Sequence, residues 1–173
     1  MLKWFQPPSF PAMLKTNYTF AHPTFHCLIG AAREDITPQI GIYARNWGAA
    51  EHDIAEGVHR PLTLTALAIL PNPQPLTPNT QSLLLFSADL GWWRTREDEW
   101  AIRGAILDAL DLSAANVLFA LTHTHSGPSI CREDADKPGG RLIPPYLDAL
   151  RDAAISAAKR GIASAQPAAL SWR

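Results

Sequence analysis

From Pro61 to Leu70 the chain reads PLTLTALAIL, with Leu62, Leu64, Ala66 and Ala68 alternating with threonines and other residues. A period of two predicts a half-buried strand. Residues 71–81, PNPQPLTPNTQ, hold four prolines and two asparagines and predict a turn or loop. The run SLLLFSADLG (82–91) is continuously apolar, as a strand covered on both faces should be. Together these two strands predict an antiparallel hairpin. The period then changes. Over 94–116, Trp100, Ala101, Ala105, Ile106 (or Leu107) and Leu110 recur at helical spacing, and Glu97, Asp98 and Glu99 fall in the first turn, where the helix dipole favours acids.

NVLFALTH (116–123) is the next apolar strand. Strand, helix and strand in this order predict a βαβ unit. A second helix is expected over 144–165, with Pro144 and Pro145 at its start and Gly161 near its end. PAALSWR (167–173) reads as the beginning of another strand. Upstream, residues 27–38 (CLIGAAREDITP) predict a short strand that Pro38 ends, and 39–59 a long loop of functional type. Residues 1–26 are rich in proline and aromatics without a clear period. The expected organisation is a leader over 1–30 and one α/β domain over 31–173. That domain would be a mixed sheet with a hairpin and a βαβ unit, helices packed on it, cut off in mid-course at the C-terminus.

Composition narrows the function classes. Hydrophobic residues make up 47% of the 173, enough for a sizeable core. A formal net charge of −1 gives no electrostatic case for a nucleic-acid or anionic-membrane partner. No apolar stretch reaches the length of a membrane span. Prolines interrupt the start where a signal peptide needs an unbroken apolar segment, which favours a cytoplasmic location. Cys27 and Cys131 lie in no CxxC, and free thiols in a reducing compartment are the simpler reading. Cys131, six residues after His125, is also within reach of a metal.

The chemistry concentrates in FALTHTHSGPSI (119–130). On an extended strand, residues i and i+2 face the same way, so His123 and His125 are expected to point into one cavity, with Thr122 and Thr124 on the other face. They lie at the carboxyl end of a strand, where open α/β sheets usually build their sites. A metal or catalytic pair and a pair of structural histidines both fit this pattern. His59, at the entrance to a strand, is a candidate third ligand for a self-sufficient metallohydrolase using His59, His123 and His125. Asp89 is placed to orient a histidine as a carboxylate behind it, or to bond a nearby turn. Trp92 and Trp93 could line an apolar pocket or pack as a lid. Tyr43 and Arg45 could meet a polar head group or sit in a surface loop. Residues 131–141, CREDADKPGGR, read as a mobile loop with no chemistry.

The string THTHSGP, preceded by NVLFAL, resembles the signature of the neutral (non-lysosomal) ceramidase family. AAREDITP, GIYAR with EGVHRPLTLTALAIL, and LLLFSADLG are similar to its upstream segments in the same order, covering 31 to about 130. The resemblance implies zinc-dependent hydrolysis of an N-acyl amide, such as an N-acyl sphingoid base. It places His123 as a zinc ligand and His125 beside the metal, holding or polarising the substrate. Zinc acidifies water and polarises the amide carbonyl, the two hard parts of amide cleavage. The family's remaining ligands, a histidine, a glutamate and a tyrosine, and an active-site serine come from further along a longer chain. The resemblance thus implies an N-terminal part that is inactive alone, with a second chain as the source of the missing half. A non-catalytic binding module that keeps the fold is the reading from a different class.

Overall fold

A computed structural model describes residues 24–72 and 82–171. Five strands, β1 (Thr24–Asp35), β2 (Thr63–Pro71), β3 (Leu83–Ala88), β4 (Val117–Leu121) and β5 (Gln166–Ser171), form one sheet in the order β4-β3-β2-β1-β5. All pairings are antiparallel except β3 with β4, which is parallel. Helix α1 (Arg96–Leu110) makes the crossover between that parallel pair, and α2 (Ile143–Ala163) precedes β5. The chain is therefore mixed α/β, with the predicted hairpin (β2–β3) and βαβ unit (β3–α1–β4) in place. The hairpin tip, 73–81, lies outside the described residues, as do residues 1–23. The expected leader boundary at residue 30 moves. Residues 24–30 are the first half of β1, an interior strand bonded to β2 on one side and β5 on the other.

Register explains the alternation. Gly30↔Ala68, Ala66↔Phe86 and Phe86↔Phe119 set residues of one parity on one face of the sheet. Leu64, Ala66, Ala68, Leu84, Phe86 and Ala88 are buried there, against Ile102 and Ile106 of α1 and Leu147, Leu150, Ala154 and Ala157 of α2. Small residues let α2 lie close. A Cβ on Gly30 would meet the Gly161 carbonyl oxygen at 2.0 Å, so only glycine fits this crossing. Gly161, expected merely to mark a helix end, is a packing residue.

Helix α1 turns a different side to the core than its spacing suggested. Ile102, Ile106 and Leu107 are buried, whereas Trp100 is 49% exposed, with the Arg103 guanidinium over its ring. The tryptophan is accommodated outside because its indole covers Gly104 and carries a cation on its face.

The 131–141 segment is not the loose loop its charges suggested. Two 3-10 turns, Arg132–Asp136 and Gly140–Leu142, occupy it. Asp134, 4% exposed, accepts from the Arg94 guanidinium at 2.5 Å and from the Ser129 hydroxyl at 2.7 Å. Asp98, 3% exposed, accepts from the Arg132 amide at 3.1 Å while Thr95 caps α1 by accepting from the Asp98 amide. Asp98, expected as a first-turn acid, and Asp134, expected in a mobile loop, are thus buried clamps holding the connection to α2. Helix α2 brings its first turns over β1: the Tyr146 hydroxyl donates to the Ile36 carbonyl at 2.8 Å.

Candidate functional site

Strand β4 ends at Leu121, two residues before the first histidine. The strand alternation expected to align His123 and His125 therefore does not operate. The imidazoles nevertheless come together, with ring centroids 5.0 Å apart. The cause is local. His123 adopts φ +62°, a left-handed conformation that only a few per cent of non-glycine residues use, histidine more often than most. On either side, the Thr122 amide donates to Ala88 O (3.0 Å) and the Thr124 amide to Leu90 O (3.2 Å). The backbone is held to the end of β3 at both flanks, and the turn between them presents the histidines on one side. Of Thr122 and Thr124, expected together on the other face, Thr124 lines a cavity with Ser126.

Three segments knit this region. The Asn46 side-chain amide donates to Gly127 O at 2.8 Å, bringing the 44–50 loop onto the histidine turn. Gly91 passes close beneath it, since a Cβ there would meet Thr124 O at 3.3 Å. Trp92 then stacks on His123 (5.2 Å, 29°) and leans on His125 (5.2 Å, 52°), while Trp47 meets His125 edge-on (5.2 Å, 79°). Trp47 is 57% exposed, so this aromatic wall opens to solvent. The Nδ1 atom of His125 is buried and has no hydrogen-bond partner among the described residues. Buried polar atoms are almost always satisfied, so an orphan on an imidazole is what a metal or substrate atom would relieve.

A cavity of about 330 Å³ lies on the far side of the same turn. Thr124, Ser126 and Pro128 form one wall, Ile40, Ile42, Ala55 and Leu62 the apolar remainder, and His59 and Arg60 contribute to its lining. Its size is within the range of small-molecule sites.

The remaining candidates sort by geometry. His59 lines the cavity with Thr124 and Ser126 rather than joining the two imidazoles, and no group of three or more possible metal ligands occurs among the described residues. The three-histidine set thus has no geometric support. Asp89 does not orient a histidine: one of its carboxylate oxygens accepts from the Thr63 amide and hydroxyl, both at 2.9 Å, closing the end of β3 onto β2. Arg45 pairs with Asp53 at 2.9 Å. Tyr43 bridges to Ile54 and receives the Ser129 amide through its backbone. Trp93 packs toward Phe119 and the core. Cys131 is fully buried, and burial pushes its thiol up, so it is an inert core residue; Cys27 is buried as well. Sequence reasoning missed Trp47 and Asn46. Their only signal was their place in a loop already suspected of function.

The fold and site together define a class: a two-layer α/β chain with helices on one sheet face and a histidine pair at the carboxyl end of an edge strand. No protein-family model matches this chain, and none of the curated proteins does either. No helix among the described residues is long and apolar enough to cross a membrane.

Proposed function

We propose that this chain is the N-terminal part of a ceramidase-like zinc-dependent amidohydrolase, inactive alone, acting on an N-acyl amide such as an N-acyl sphingoid base. The observation that carries this reading is the His123–His125 pair, 5.0 Å apart and including the orphaned Nδ1 of His125, at the turn that bears THTHSGP. The donor chemistry suits zinc; the donor number does not suffice, since a catalytic zinc centre takes three protein ligands and an open position. The further ligands therefore come from a polypeptide segment beyond this pair, on a second chain or a continuation. His123 holds the metal. His125 stands beside it, where an imidazole can donate to a developing oxyanion or carry a proton. Zinc would supply Lewis-acid activation of water and of the amide carbonyl. The apolar cavity behind Thr124 and Ser126 receives part of the substrate's hydrocarbon. A cytoplasmic location belongs to the same proposal.

The test is zinc content per purified, folded chain, in the wild type and in His123→Ala, with and without the candidate complementing segment. Zinc bound by the wild type and lost in the variant, with amidase activity appearing on complementation, is the expected result. A folded wild type that takes up no zinc in either condition would leave a non-catalytic binding module as the better reading.

A further inference from the structure

We propose that Trp92 is the positioning residue of the histidine pair, taking the part that a carboxylate usually plays behind a metal-binding histidine. What the imidazoles then bind rests on the zinc reading above; that Trp92 holds them does not. A ligating histidine is normally fixed by a carboxylate or carbonyl that accepts from its other ring nitrogen. Here that partner is missing. No hydrogen bond from a described residue reaches either ring, and Asp89, the carboxylate expected to orient a histidine, is engaged by Thr63.

What does touch both imidazoles is one indole. Trp92 lies 5.2 Å from each, stacked on the exposed His123 and tilted against His125. Such contacts fix ring planes by the match of aromatic faces and edges, and do so without occupying a ring nitrogen. Both imidazoles thereby keep all their nitrogens for a ligand. The arrangement is also mechanically coupled. The segment that delivers Trp92 is the one whose Ala88 and Leu90 carbonyls hold the amides on either side of His123. Gly91, between them, allows the two backbones to approach closely enough for the indole to reach the rings. The left-handed His123 and Trp92 are one unit. Trp47 is the contrast: it touches His125 and not His123, edge-on, from the loop that Asn46 ties to the histidine turn.

The experiment is a proton NMR spectrum of the histidine ring signals with a zinc titration. The proteins are the wild type, Trp92→Ala, Trp92→Phe and Trp47→Ala, each shown to be folded by its amide spectrum. In the wild type the ring current of Trp92 should displace the C–H signals of both His123 and His125. Trp92→Ala should return both toward ordinary positions and weaken zinc binding about ten- to a hundred-fold, the usual effect of removing a group that orients a ligand. Trp92→Phe should recover most of both effects, because a planar ring is what the contact requires, and Trp47→Ala should move His125 only. If the rings stay displaced in Trp92→Ala and zinc affinity is unchanged, the proposal is overturned. If the rings move but the wild type binds no zinc, the positioning role stands and the zinc reading is what fails.

Discussion

At His123 the backbone sits at φ +62°, and for a residue with a Cβ this conformation costs about 1–2 kcal/mol. Strain of this kind concentrates at functional sites, where surrounding contacts enforce it. The strain can be separated from the ring's own contacts by comparing two substitutions that both delete the imidazole. His123→Gly is expected to be more stable than His123→Ala by about 1 kcal/mol, read from the denaturant midpoints of the two variants. Equal midpoints would mean that the turn relaxes when the ring is removed. Tyr146 offers a second residue-scale test. Its hydroxyl is pushed well above the ordinary tyrosine range, mainly by burial and further by the nearby Asp35 charge. The folded state therefore holds this proton more tightly than the unfolded chain does. The stabilisation is complete below about pH 10, the ordinary tyrosine value, and is lost as pH rises beyond it. Tyr146→Phe should be less stable than the wild type at neutral pH by about 1 kcal/mol, the worth of the bond to Ile36 O, and the gap should close in alkali. A gap that stays constant up to pH 11 would contradict this.

At the scale of elements, the sequence was most legible where one period ran unbroken. β2 alternates as its pattern predicts, and the antiparallel pairing with β3 followed from the loop between them; β3, expected to be covered on both faces, is buried on one face only, with Leu84, Phe86 and Ala88 inside and Leu83 and Leu85 partly exposed. It was least legible where propensity and tertiary contact disagree. The acids of α1 illustrate this. Glu97, Asp98 and Glu99 are equally suited to the first turn of a helix, and nothing in their order says that Asp98 is buried and bonded to the Arg132 amide. The same clamp makes the cap of α1 more than local. Thr95 accepts from the Asp98 amide and donates to its carboxylate at 2.6 Å. Thr95→Ala should cost about 1–2 kcal/mol, the upper part of the range for lost caps, because Asp98 loses a donor as well. Thermal unfolding would show it. Hydrogen exchange should also rise in 131–136, and an effect confined to the first turn of α1 would show that the clamp and the cap are independent.

For the molecule as a whole, the seam between α2 and the sheet is tightly specified. Gly30→Ala places a methyl 2.0 Å from the Gly161 carbonyl and 2.7 Å from the Ala165 amide, both backbone atoms that cannot swing aside. The helix must lift from β1, and overpacking of this kind costs about 1–3 kcal/mol. A fall in melting temperature of several degrees is expected; an unchanged value would mean that α2 rides loosely on the sheet. The opposite sheet face carries Ile29, Leu67, Ile69, Leu83 and Leu85, all partly exposed, and Leu118 at 60% exposure on the edge strand.

Hydrophobic periodicity alone determined the element types, the hairpin, the βαβ unit and the segment in which the histidines sit, because period reports directly which side of an element is dry. Chemistry-bearing residues could also be nominated from sequence, since THTHSGP is unusual in a chain with six histidines. Only the tertiary structure decided how the pair is aligned. The expected cause was a strand, and the operating one is a left-handed turn pinned at both flanks and faced by Trp92. It also placed His59 in the lining of the cavity, committed Asp89 to Thr63, and buried Asp98 and Asp134. These outcomes depend on contacts between segments distant along the chain, and local pattern carries no information about which distant partner a side chain will meet.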